Sequence, residues 1–219
     1  MTGAVRWVGA PDEASGSGDG RVAAWLVRLD DRRVERWLTG SPATPSDLAA
    51  VAAQVDAGDR LVRRRLARLL LGAAAGVPPA SVTLERTVVG APIVAAPGGW
   101  HVSLAGRAPW CAIAIGRSPV GIDVEPVGGE PLPDDLLTAA ERAWVAGHPA
   151  RDRPRASLAC WVAKEAHAKR FGRPRALDPA AVETQPAGRP GLVRSGADWS
   201  RIVAGGDASC VAAVAVDIE

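Results

Sequence analysis

The 219-residue chain predicts an α+β fold: a pseudodimer of two similar halves, each with a long helix packed on an antiparallel sheet. Three observations carry that expectation. A segment with apolar residues at helical spacing, 59–71, ends at Gly72 and Gly76, and a second helix-forming segment, 156–171, ends at Gly172. Short strand-like runs at 81–86, 100–104 and 110–115 follow the first helix, and the second half repeats their order. Finally, Trp100 and Trp199, Ala105 and Ala204, Gly106 and Gly205, Cys111 and Cys210, and Ala114 and Ala213 are identical pairs at one offset of 99 residues. Alanine matches are cheap in an alanine-rich chain, so Trp, Gly and Cys carry the inference. The halves divide as 1–117 and 118–219.

Taken in order, a Gly/Ser-rich leader at 12–20 precedes a strand at 22–29, and 39–45 reads as a loop. In the helix at 59–71, Val62, Leu66 and Leu69 form an apolar stripe, while Arg60, Arg64 and Arg68 form an opposite basic stripe of solvated charges. Ile113 and Ile115, then Ile122 and Val124, predict a hairpin of two strands. Side chains alternate with period two, so Asp123 and Glu125 share one face of the second strand. A further helix over 134–146 carries Glu141. The helix at 156–171 is free of Gly and Pro, and puts Trp161, Glu165 and Lys169 on one stripe with Lys164 beside it.

Three carboxylates and two lysines therefore come from two short segments. Arginine so dominates over lysine that these two lysines stand out. A cation held by carboxylates, with lysines adjacent, suits Mg²⁺ bridging to substrate phosphates. Taken singly, each segment is an ordinary surface pattern: Asp-x-Glu ends many strands, and Lys-Glu-x-x-x-Lys is a common salt-bridged helix face.

Composition excludes several classes. The three cysteines, Cys111, Cys160 and Cys210, form no Cys-x-x-Cys, and the odd count argues against a disulfide framework or zinc site. A reducing cytoplasm is the expected compartment. A net charge of +2 without base-stacking motifs implies no nucleic acid. No apolar run approaches the ~20 residues of a membrane span, and the N-terminus lacks a signal-peptide pattern. There is no Gly-x-Ser-x-Gly elbow and no Walker-type glycine loop, which disfavours hydrolase and nucleotide-triphosphatase chemistry.

In its order and spacing, Gly121-Ile122-Asp123-Val124-Glu125 followed by Trp161-Val162-Ala163-Lys164-Glu165-Ala166-His167-Ala168-Lys169 resembles the signature of the 4′-phosphopantetheinyl transferase superfamily, matching its Sfp-like branch best. Gly90-Ala91-Pro92, the run from His101 to Gly106, and Thr138-Ala139-Ala140-Glu141 sit where that family carries further motifs. The resemblance implies transfer of 4′-phosphopantetheine from coenzyme A to a serine of an acyl or peptidyl carrier protein, as in secondary metabolite biosynthesis, by a monomer. It implies Mg²⁺ on Asp123, Glu125 and Glu165, and coenzyme A across a cleft between the halves. Arg60, Ser103, Lys164 and Lys169 would hold the coenzyme, Lys169 also serving catalysis, and Glu141 would be the base for the serine hydroxyl. Arg151, Arg153, Arg155, Arg170, Arg173 and Arg175 flank the motif helix and would steer an acidic carrier.

Two departures bear on that expectation. Leu104 replaces the family's usual His, which holds the 3′-phosphate, and Ala91 replaces a frequent Lys. Apolar groups make none of the charge-assisted hydrogen bonds worth roughly 1.5–3 kcal/mol each. His101 lies three positions before Leu104, and strand parity points it away from that site. The alternative is therefore a family member that binds carrier protein or nucleotide without efficient transfer.

Overall fold

A computed structural model describes residues 4–15, 21–173, 178–185 and 191–218. The first sheet joins β1 (Val5–Val8), β2 (Val22–Arg28), β5 (His101–Arg107) and β6 (Trp110–Gly116) in the order β1-β2-β6-β5. Between β2 and β5 the chain forms α1 (Arg32–Thr39), α2 (Pro45–Val51), α3 (Ala57–Ala75) and a ribbon of β3 (Thr83–Arg86) and β4 (Pro92–Ala96). The second sheet runs β7-β11-β10-β9-β8, from β7 (Gly121–Pro126), β8 (Glu183–Gln185), β9 (Leu192–Ser195), β10 (Asp198–Asp207) and β11 (Cys210–Val216). Helices α4 (Ala139–Ala146) and α5 (Arg153–Arg170) lie between β7 and β8 in the chain.

Strand alternation explains the layers. On β6, Cys111, Ile113 and Ile115 join the core under α3, while Trp110, Ala112 and Ala114 face the second sheet. On β11, Val211, Ala213 and Ala215 face α5, while Cys210, Ala212 and Val214 face the first sheet. The seam is thus built largely of small side chains, which lets the two sheets approach closely. Helices α3 and α5 each end at a glycine of positive φ, Gly76 and Gly172, both at 68°, a conformation that costs glycine nothing.

The α+β class holds, and four local expectations need correction. Strands β6 and β7 form no hairpin: β6 pairs with β2 and β5, whereas β7 pairs with β11 in the other sheet. The chain crosses between sheets after Gly116. The offset of 99 is wrong by one residue. The hairpin β5–β6 pairs Arg107 with Trp110 and Gly106 with Cys111; the hairpin β10–β11 pairs Asp207 with Cys210 and Gly206 with Val211, an offset of 100. One residue of slip turns each side chain to the opposite face of its strand, so Cys111 lies under α3 and Cys210 at the seam.

The basic stripe of α3 is not solvated either: Arg64 and Arg68 are 5% and 1% exposed and pair with buried Asp47. The described part of the leader, at Pro11–Ala14, is a short 3-10 helix that buries Pro11 and Ala14; 16–20 lie outside the described residues.

Candidate functional site

The site begins with a close approach. A Cβ on Gly121 would overlap the carbonyl oxygen of Ala166 and come within 2.6 Å of the Arg170 nitrogen, so only glycine lets β7 lie directly against the backbone of α5. Ile122 and Val124 point into the seam, which leaves Asp123 and Glu125 on the side of α5. The Ile122 N–H donates to the Ser103 hydroxyl at 3.0 Å, fastening β7 to β5 of the first half beside Asp123.

On that face, the Lys169 ammonium donates to Asp123 Oδ1 at 2.6 Å, while Asp123 Oδ2 is buried without a hydrogen-bond partner. Glu125 accepts from Arg107 Nε at 3.0 Å. Burial and, after it, the neighbouring charge of Asp123 push the Glu165 pKa up to about 7, with Lys169 opposing and Glu125 adding. Glu125 is likewise raised, by burial first, with Arg107 opposing and Asp123 adding. The negative charge of Asp123 thus disfavours the charged forms of both Glu125 and Glu165.

The donor chemistry fits a hard divalent cation: carboxylate oxygens only, one of them orphaned and buried, and excess negative charge that a cation would relieve. As the side chains stand, no group of three or more His, Cys, Asp or Glu among the described residues is gathered to hold a metal ion. Lys169 and Arg107 occupy oxygens that such an ion would use.

Glu165 and Lys169 open into a cleft of about 680 Å³. Its walls include Arg60, Arg63, Arg64 and Arg86 from the first half, with Ser103 between. Leu104 and Ala91 line the same cleft, as does His101. Arg60 is half-buried beside Asp56 at 3.6 Å; Arg63 donates to the Gly106 carbonyl at 3.0 Å, and Arg86 to that of Ala50 at 3.0 Å. The structure therefore gathers Arg60, Ser103, Glu165 and Lys169 at one cleft, with Asp123 and Glu125 behind Lys169.

It gives Glu141 and Lys164 a different place. Both are 1% exposed, pair with each other at 2.6 Å, and are absent from the cleft wall. Glu141 Oε2 also accepts from the Thr138 N–H, and Oε1 from the Thr184 N–H and hydroxyl. Burial alone would raise the Glu141 pKa, but Lys164, and after it Thr138 and Thr184, outweigh burial and hold it below the ordinary value. Lys164 spends its remaining donors on the carbonyls of Leu136 and Pro179. A base needs an accessible, basic carboxylate. Glu141 as placed offers neither.

The flanking arginines also have structural employment. Arg153 donates to the Ala146 and His148 carbonyls at the end of α4, Arg155 to Asp207, and Arg170 to Trp199 and Ser200. Arg173 pairs with Asp198, Arg151 is well exposed, and Arg175 lies outside the described residues. Sequence reasoning missed Arg63, Arg86, Arg107 and Asp47. Only Asp47 carried a readable signal, the capping box Thr44-x-x-Asp47.

Compared with known families, residues 119–215 match the model of the 4′-phosphopantetheinyl transferase superfamily. That segment begins just before β7 and contains Asp123, Glu125, Glu165 and Lys169. Among curated proteins, none matches the chain significantly.

Proposed function

We propose, from the match of residues 119–215 to the 4′-phosphopantetheinyl transferase superfamily model, that the chain moves 4′-phosphopantetheine from coenzyme A to a serine hydroxyl of a carrier protein with Mg²⁺. One observation carries the reading: a single cleft is lined by Glu165 and Lys169 together with Arg60, Arg63 and Arg86. That arrangement suits a long polyanion whose pyrophosphate lies by the carboxylates and whose remaining phosphate lies among guanidinium groups.

In the proposed reaction the serine oxygen bonds to the phosphorus that bears pantetheine. The P–O bond to the nucleotide breaks, adenosine 3′,5′-bisphosphate leaves, and the serine proton passes to solvent. Asp123, Glu125 and Glu165 would hold the Mg²⁺, which supplies charge neutralisation on the pyrophosphate. Lys169 shifts its ammonium from Asp123 toward the leaving phosphate. Ser103 holds β7 in register with the cleft through Ile122, and Arg60 and its neighbours orient the nucleotide end. The acceptor is an acyl or peptidyl carrier, as that superfamily's chemistry requires, and cytoplasmic action fits three unpaired, buried thiols. Among the described residues, no helix is long and apolar enough to cross a membrane.

The test is to incubate the purified protein with Mg²⁺, coenzyme A and an apo carrier, and to weigh the carrier. A mass increase equal to phosphopantetheine is the expected result; none across several carriers would defeat the reading. Leu104 and Ala91 favour one alternative, binding without efficient transfer. It would be marked by retained coenzyme A binding and no mass change.

A further inference from the structure

The buried pair Glu141–Lys164 has a second copy in the half that carries no metal motif. Thr44 caps α2, its hydroxyl accepting from the Asp47 N–H at 3.2 Å while Asp47 accepts from the Thr44 N–H at 3.1 Å. Thr138 caps α4 in the same way with Glu141, at 3.2 and 2.8 Å. Asp47 pairs with Arg68 of α3 at 3.1 Å, as Glu141 pairs with Lys164 of α5 at 2.6 Å. Arg68 then donates to the carbonyls of Pro42 and Pro79, and Lys164 to those of Leu136 and Pro179. Residues 42, 44 and 47 become 136, 138 and 141, each 94 positions on. All four charged side chains are 1% exposed.

The match runs through a capping box, a buried acid, a buried base on the long helix, and two backbone carbonyls; the copies differ in that Asp47 also pairs with Arg64, whereas Glu141 also accepts from Thr184. Its first copy, Asp47–Arg68, is fully enclosed and is not part of the carboxylate group. A function shared by both copies is therefore not proton transfer. What both do is pin a long helix to the cap of a short helix and to a 3-10 turn, at Pro79–Ser81 in one half and Pro179–Ala181 in the other.

We propose that Glu141 and Lys164 are positioning residues: the second copy of a buried helix lock, which fixes the rotation of α5 so that the adjacent Glu165, and Lys169 one turn on, face Asp123. The lock itself rests on the ion pairs and hydrogen bonds of the two copies; its consequence for metal and coenzyme rests on the transferase reading. Glu165 follows Lys164 directly, so α5 cannot turn about its axis to release Lys164 without swinging Glu165 off the cleft. The acid–base pair is an Asp–Arg pair in one copy and a Glu–Lys pair in the other, with the shorter acid opposite the longer base.

The experiment compares Glu141→Gln, Asp47→Asn and the double variant Glu141→Asp with Lys164→Arg, which installs the first-half pair in the second half. The readouts are urea midpoint, Mg²⁺ half-saturation and kcat at saturating Mg²⁺ and coenzyme A. The expected result is a lowered urea midpoint for both single variants, and for Glu141→Gln a Mg²⁺ half-saturation raised about tenfold. Its kcat at saturation should stay within about threefold of wild type, and the double variant should recover both midpoint and Mg²⁺ response. Failure of Glu141→Gln to fold, repaired in the double variant, also supports the lock. A hundredfold or greater fall in kcat for Glu141→Gln with an unchanged midpoint, the range expected on removing a general base, would overturn it. So would a double variant that folds as stably as wild type without recovering the Mg²⁺ response. If the wild type transfers nothing to any carrier, the transferase reading fails, and the urea midpoints of the same variants still decide the lock.

Discussion

The two halves place opposite chemistry at matching positions between helix and sheet. In the first sheet, β6 pairs Ile113 with Trp25 and Cys111 with Val27; in the second, β11 pairs Ala213 with Asp123 and Val211 with Glu125. Counted from the lock, Leu69 and Ala73 on α3 stand where α5 has Glu165 and Lys169, each 96 positions on. Four apolar side chains in one half thus occupy the positions that four charged ones take in the other. The scaffold needs no charge there: Trp25 is fully buried and Leu69 and Ala73 pack on the same core. Asp123 disfavours the charged forms of Glu125 and Glu165, Lys169 pairs with Asp123 and Arg107 with Glu125, while the other half holds the same positions together with apolar residues. Chemistry explains their presence better than stability does.

That contrast can be tested where it should be widest. Asp123→Ala and Glu165→Ala should each cut transfer about a thousandfold, roughly 4 kcal/mol, with urea midpoints close to wild type. Removing one carboxylate relieves repulsion within the group, which offsets the loss of a pair as with Lys169. At the matching position Trp25→Ala should cost about 3–5 kcal/mol in stability, measured by the same denaturation. Full activity in the Asp123 variant would remove the metal assignment.

Gly121→Ala comes next. The first half already has alanine, Ala23, opposite Ile115, as Gly121 is opposite Ala215. In the second half the added methyl meets the backbone of α5, so a loss of about 1–3 kcal/mol is expected, with weakened coenzyme binding. An unperturbed midpoint would show that α5 approaches β7 less closely than described. Leu104→His restores a donor to the cleft wall, and should tighten coenzyme A binding about tenfold by calorimetry, some 1.4 kcal/mol. An unchanged dissociation constant would show that the arginines already satisfy the nucleotide end.

The smallest effect concerns the thiols. Burial pushes Cys111 up to about 12, while an unfolded thiol ionises near ~8.5. The folded state keeps its proton where the unfolded chain loses it, so this stabilisation is whole below ~8.5 and is lost as pH rises toward 12. Wild type should lose roughly 1 kcal/mol more than Cys111→Ala between pH 8 and 9.5. Parallel pH profiles for the two proteins would contradict that degree of burial.

Much of this was legible in the sequence, for identifiable reasons. Strand β6, helices α3 and α5 and the carboxylate motif announce themselves through period and punctuation, with Ile113 and Ile115 at a spacing of two and Gly72, Gly76 and Gly172 at helix ends, whereas α1 and α2 are not among the predicted elements. Which strands pair is decided far along the chain. Nothing near Ile115 or Ile122 says that the chain changes sheets between them, so they read as a hairpin. Identical residues at 99 hid an offset of 100, because matching letters ignore which face a side chain takes. Arg64 and Arg68 read as solvated, since their partner Asp47 sits on another helix. Glu141 and Lys164 carry the family's letters at the right places, yet their environment comes from Thr138, Thr184, Leu136 and Pro179, which no motif contains.

One contact reaches beyond either half. The Trp7 ring of β1 occupies the space that a Cβ on Gly205 of β10 would fill. Trp7 and Gly205 stand 198 positions apart in the chain, so this edge of the molecule closes only once β10 has folded back onto β1. Contacts so distant along the chain slow folding, because a large loop must close before they form.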